Sequence, residues 1–115
     1  MKKIYYLGTC ATCKRIIKEL DPGKDVEMQD IKKDPITASQ LDKMKSMAGS
    51  YEKLFSRRSV KYRTMGLKDK ELSEKDYRQL ILDEYTFLKR PVIIAGDEIS
   101  VGSAKAEIDK VRDKV

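Results

Sequence analysis

A chain of 115 residues with 25 basic and 19 acidic side chains, a net charge of +6 and no histidine is long enough for one domain with its own core. The missing histidine excludes Cys-His and Ser-His-Asp systems, so a nucleophile must be activated by arginine, lysine or a helix end. Two cysteines in so small and charged a chain are expected in a reducing cytosol, not in a secreted disulfide scaffold. No run approaches the roughly 20 apolar residues of a membrane span, and the apolar run behind Met1-Lys2-Lys3 is too short for a signal peptide. Lysines and glutamates are interspersed, so the charge reads mostly as solvated surface. The positive balance could suit an anionic substrate or acidic partner, and nucleic-acid binding is not implied.

Taken in order, the pattern predicts a strand over about Lys2 to Leu7, broken by Gly8. One of Tyr5 and Tyr6 should face the core. A helix follows over Ala11 to Leu20, with Cys13, Ile16, Ile17 and Leu20 on one face, stopped by Asp21-Pro22-Gly23. Val26 to Ile31 alternates as a half-buried strand, completing a βαβ unit with parallel strands and a right-handed crossover. Asp34-Pro35-Ile36-Thr37 is a boundary, and Thr37 with Gln40 forms a capping box for a helix with a Leu41, Met44, Met47/Ala48 stripe, ended by Gly49. Tyr51 to Phe55 reads as a short helical turn, and Tyr62, Met65 and Leu67 as another short helical piece, broken at Gly66. Ser73 caps a longer helix with Tyr77, Leu80, Ile81 and Tyr85 inward. Arg90-Pro91-Val92-Ile93-Ile94-Ala95 is an apolar strand, Gly96-Asp97 a hairpin turn and Glu98 to Val101 the returning strand. After Gly102, a closing helix is predicted over Ala104 to Val115, with Ile108, Val111 and Val115 inward. The methionines read as helix packing, not as a metal site.

Chemistry concentrates in Thr9-Cys10-Ala11-Thr12-Cys13-Lys14-Arg15. Cys10 falls at the helix entrance, where free N–H groups and the helix dipole favour a thiolate, the reactive form of cysteine. Cys13 falls on the inner face three residues on, as an attacking thiol and a resolving thiol would be placed. A zinc site needs about four ligands, and no further cysteine or histidine exists. A structural disulfide across so short a loop would stabilise little. Two unrelated buried cysteines remain the competing reading. Lys14 and Arg15 add positive potential near Cys10, while Arg57 and Arg58 read equally as surface charges.

Cys10-Ala11-Thr12-Cys13-Lys14, Asp34-Pro35-Ile36-Thr37, Ser59 through Tyr62 to Gly66-Leu67, Phe87-Leu88-Lys89-Arg90-Pro91-Val92-Ile93-Ile94 and Val101-Gly102 together resemble the ArsC/Spx group of thioredoxin-fold proteins. The resemblance implies an α/β thioredoxin-like fold: one domain over residues 1–115, a four-stranded mixed sheet flanked by helices and a helical insertion at about 37–88. Such folds place a cis-proline at the start of the third strand, and Pro91 matches it. In the family's reductases a cysteine at the head of the first helix attacks arsenate, and Cys10 matches it. The arsenylated cysteine is resolved by glutathione and glutaredoxin, while arginines hold the oxyanion. Arg90 matches one of these, and Arg58 or Arg57 lies close to a second whose aligned position is Ser56. A third would fall near Ser103 and is missing. Each hydrogen bond to a charged group is worth roughly 1.5–3 kcal/mol, so its loss weakens arsenate as the substrate.

Cys13 is a second departure, since glutaredoxin-linked reductases usually lack it and Spx has it. A Cys10–Cys13 disulfide then becomes the oxidised state, with glutathione and glutaredoxin or thioredoxin as electron donor. The resemblance thus implies an arsenate reductase-like thiol-disulfide oxidoreductase acting on arsenate, another oxyanion or a disulfide. It is expected to be a cytoplasmic monomer with no bound cofactor or metal. The alternative is an Spx-like redox regulator binding a protein such as RNA polymerase. Spx, however, extends beyond its last helix, whereas this chain stops at Val115. The C-x5-R reductases are a different class, for Ile16 stands where their arginine would be.

Overall fold

The computed structural model describes residues 1–115 as two units, Met1–Pro35 with Arg90–Val115, and Ile36–Lys89. The first unit holds strand β1 (Lys2–Tyr6), helix α1 (Ala11–Leu20), β2 (Glu27–Asp30), β3 (Val92–Ala95), β4 (Glu98–Val101) and α5 (Lys105–Asp109). The second holds α2 (Ala38–Ala48), α3 (Val60–Thr64) and α4 (Glu74–Asp83), with single 3-10 turns at Glu52–Leu54, Leu67–Asp69 and Tyr85–Phe87.

The strands form one mixed sheet in the order β2-β1-β3-β4. β1 and β2 are parallel, with Ile4 opposite Met28, while β3 is antiparallel to both β1 and β4. Gly96 takes a φ of 61° in the β3–β4 turn, a region open to glycine without a steric cost. Helices α1 and α5 share one core cluster with the sheet. Ile16, Leu20, Ile108 and Val111 pack with Ile4, Ile93 and Ala95, and Tyr6 and Ile17 flank them half-buried. Every residue of β3 is buried, as its unbroken apolar run suits a strand covered on both faces.

Several local expectations shift. The closing helix is only Lys105–Asp109, with turns rather than helix beyond it; Ile108 and Val111 nevertheless reach the core. Ile108 lies within this short helix and Val111 in the turn beyond it, and Val115 is half-buried. In β2 the alternation does not bury Met28, which is 40% exposed, whereas Gln29 is buried and donates to the Asp34 carbonyl at 2.9 Å. The strand lies at the sheet edge, and the hydrogen bond to Asp34 offsets the burial of the Gln29 amide. Among the methionines Met44 alone is fully buried, and Met65 is 47% exposed. Leu80 and Tyr85 are half-buried, the latter in a 3-10 turn after α4.

In the second unit the capping box at Thr37 is present, and Gly49 ends α2 with a φ of 107°. Phe55 is the centre of its core. It stacks on Phe87 at 5.0 Å between ring centroids, contacts Tyr77 at 4.9 Å and meets Tyr62 edge-on at 6.0 Å. A short antiparallel bridge joins Phe55 to Leu88; the Ser56 N–H donates to the Phe87 carbonyl, and the Lys89 N–H to the Leu54 carbonyl. Arg78 of α4 donates twice to the Asp42 carboxylate of α2, at 2.8 and 3.2 Å.

Candidate active site

The loop after β1 delivers Cys10 to the position just before α1. The Cys10 N–H donates to the Leu7 carbonyl at 3.0 Å, and its own carbonyl accepts from the Lys14 N–H at 3.1 Å. Its backbone is extended (φ −89°, ψ 115°), so Cys10 is the N-cap and its side chain projects at the mouth of the helix. No acidic residue occupies the first turn of α1, and nothing there opposes a negative charge on sulfur. Cys10 is half-buried and Cys13 fully buried, both as free thiols. One sulfur can meet a substrate and the other is shielded from it.

Electrostatics separate the two thiols. Burial by itself would raise the pKa of Cys10. The Cys13 backbone amide and thiol together with the Arg90 guanidinium outweigh it, so the net shift is downward. The sulfur makes no full capping hydrogen bond, yet the Cys13 amide lies close enough to favour the thiolate. Cys13 is pushed up to about 11, first by burial and then by the negative charge of Cys10 and the hydrogen bond Cys13 gives it; the Leu7 backbone and Arg90 act in the opposite sense. The pair therefore favours the thiolate at the outer sulfur and the thiol at the inner one. The alkaline stability of the reduced protein should show this. Cys13 is raised on folding, so its contribution is fully present below the ordinary value of 9.0 and is lost as pH rises towards about 11. Melting temperatures from about pH 8 to 10.5 should fall more steeply for the reduced wild type than for Cys13→Ala. Parallel curves would refute the assignment.

Arg90 stands at the entry to β3, joined to Pro91 by a cis peptide bond. Its Nε is buried and has no hydrogen-bond partner. Pro91 is buried, and its carbonyl accepts from the Gly102 N–H at 2.9 Å, which brings the Gly102-Ser103 turn to the same corner. Cys10, Cys13 and Arg90 thus meet in the first unit, drawn from a helix mouth and from a strand entry about 80 residues later. Arg57 and Arg58 belong to the second unit. The Arg57 guanidinium donates to Glu52 at 2.9 Å and to the Tyr77 hydroxyl at 3.0 Å, and the Arg58 side chain is exposed. Lys14 and Arg15 are both exposed, Arg15 facing Glu19 at 3.8 Å.

Asp30 carries no signal in the sequence, yet it bears on this loop. A Cβ on Gly8 would come within 2.6 Å of the Asp30 carboxylate, so the loop that presents Cys10 passes against Asp30 with room only for glycine unless the carboxylate moves. The Asp30 carboxylate also accepts from the Lys32 N–H at 3.0 Å. Residues 22 apart in sequence leave no local pattern to mark this approach.

The ArsC family model matches residues 5–111. The chain belongs to the ArsC family. The uncharacterized protein YusI of Bacillus subtilis (strain 168) is 26% identical over 110 residues, spanning 92% of this chain and 93% of YusI. The crystal structure of a possible arsenate reductase from Streptococcus mutans UA159 is similar at a TM-score of 0.73 and 32% identity, covering 95% of this chain and 98% of that one. The solution structure of SACOL0876 from Staphylococcus aureus COL gives a TM-score of 0.76 and 31% identity, with 96% and 97% covered. The ArsC-family chain described here has the thioredoxin-like α/β fold of these relatives, and none of its helices is long and apolar enough to cross a membrane.

Proposed function

We propose that this ArsC-family protein is a thiol-disulfide oxidoreductase in which Cys10 attacks, Cys13 resolves and Arg90 holds an anionic substrate. The observation that carries the reading is the split between the thiols: the accessible one is favoured as thiolate, and the buried one is held as thiol behind it. The arsenate reductase-like relatives support the same chemistry.

On a disulfide substrate the Cys10 thiolate forms a bond to one sulfur and expels the other as thiolate, which takes a proton from solvent. Cys10 is now neutral, so its charge and its hydrogen bond no longer hold the Cys13 proton in place. Cys13 loses that proton and attacks the Cys10 sulfur, releasing the second substrate thiolate. The substrate gains two electrons and the pair becomes a disulfide, which a dithiol donor or two glutathione molecules reduce again. An oxyanion such as arsenate would be held by Arg90, while the Arg57 guanidinium is engaged with Glu52 and the Tyr77 hydroxyl. Cytoplasmic location and a glutathione/glutaredoxin or thioredoxin donor belong to this proposal.

The test follows reduction of arsenate and of a small disulfide with each donor system, for wild type, Cys10→Ser and Cys13→Ser. Disulfide reduction by the wild type, none by Cys10→Ser and a trapped mixed disulfide in Cys13→Ser is the expected result. Full activity in Cys10→Ser, or no reversible Cys10–Cys13 disulfide in the wild type, would sink the proposal.

A further inference from the structure

Positive charge is not spread evenly over this protein. Residues 57–70 hold Arg57, Arg58, Lys61, Arg63, Lys68 and Lys70 against a single acid, Asp69, and so account for five of the six net positive charges. The interspersed pattern expected from the sequence holds outside this segment and fails within it. Elsewhere basic side chains are repeatedly paired, as in Lys2–Asp25, Lys3–Glu27, Arg78–Asp42 and Lys105–Asp109. Here Arg57 alone has a carboxylate partner, Glu52.

Apolar side chains stand among these charges. Val60 is 64% exposed and Met65 47%, and α3 between them buries no residue. The segment is nevertheless ordered by its own contacts. Ser59 caps α3, Gly66 turns the chain at a φ of 67°, Leu67 is buried and the Tyr62 ring meets Phe55. The helix dipole explains a preference for Lys61 and Arg63 in the last turn of α3. It does not explain Arg58, Lys68 or Lys70, nor the exposed valine and methionine.

We propose that residues 57–70 form a docking surface for an acidic protein segment that carries apolar side chains of its own. Charge complementarity would steer the encounter, and Val60 with the adaptable Met65 would supply the dry contact that exposed ion pairs lack. Nucleic acid fits less well, because the one aromatic of the segment, Tyr62, is engaged with Phe55 and not free to stack on bases. A membrane surface fits less well because α3 spans five residues, too short for an interfacial amphipathic helix. This surface is independent of the thiol chemistry proposed above.

The experiment measures binding of a fluorescent synthetic peptide of alternating glutamate and leucine to the reduced full-length protein, by anisotropy at low and moderate salt. Its comparators are an all-glutamate peptide, a single-stranded oligonucleotide and vesicles of anionic lipid. The leucine-bearing peptide should bind most tightly and weaken as salt is raised. Lys61→Glu/Arg63→Glu/Lys68→Glu should reduce its affinity at least about tenfold, while Lys24→Glu/Lys32→Glu/Lys33→Glu, of equal net charge, should not. Val60→Ser/Met65→Ser, which leaves every charge in place, should lose the preference for leucine and serves if the reversal variant fails to fold. Equal losses in the two charge variants, an unchanged preference in Val60→Ser/Met65→Ser, tighter binding of oligonucleotide or vesicles, or no peptide binding would each overturn the proposal.

Discussion

Arg90→Met should raise the pKa of Cys10 and make the Cys10–Cys13 pair more reducing. The guanidinium lowers the Cys10 pKa both by its charge and by a hydrogen bond, whereas the Cys13 amide and thiol remain in the variant. The shift is therefore upward but incomplete. Stabilising the thiolate stabilises the reduced protein, so removing Arg90 favours the disulfide. Each pKa unit gained at Cys10 should lower the reduction potential by about 30 mV at a pH above both values. Alkylation at a pH below both pKa values should slow by about threefold per unit, not tenfold, because a more basic thiolate is intrinsically more nucleophilic. Iodoacetamide kinetics against pH and equilibration with glutathione read the two effects separately. An unchanged pH profile with an unchanged potential and unchanged oxyanion activity would remove Arg90 from the site. A lost oxyanion activity with both quantities intact would instead give Arg90 a substrate-binding role alone.

A larger effect on stability is expected from Phe55→Ala. Phe55 has no exposed surface and touches three aromatic rings, so truncation loses transfer energy and leaves a cavity bounded by rigid neighbours. Loss of about 3–5 kcal/mol is the ordinary range for such a change. It is a large share of the roughly 5–15 kcal/mol that holds a domain folded. Urea denaturation followed by far-ultraviolet circular dichroism gives the number. A loss below about 1 kcal/mol would mean that the ring cluster relaxes around the gap. Phe55→Leu should recover much of the loss by refilling the volume.

Much of this molecule is determined by local chemistry. The α1 boundaries at Ala11 and Leu20 follow from the Gly8 break, the apolar spacing of Cys13, Ile16 and Leu20, and the Asp21-Pro22-Gly23 stop. The Thr37 and Ser73 caps and the β4 strand over Glu98–Val101 are equally local, because the groups that specify them lie within a few residues of one another. The attacking and resolving roles proposed for Cys10 and Cys13 could be read from a helix mouth and a three-residue spacing. Other features required the folded chain. The α5 helix stops at Asp109 although Val111 beyond it still lies in the core, and apolar spacing does not separate helix from turn there. Burial of Gln29 in place of Met28 goes with a carbonyl partner at Asp34 that the strand's alternation does not announce. The approach of Asp30 to Gly8, the meeting of Arg90 with Cys10 and the tie between Arg57 and Tyr77 are contacts between residues far apart in sequence. Side chains brought together by strand pairing and packing carry no mutual periodicity, so only tertiary structure could decide which charges act on the thiolate.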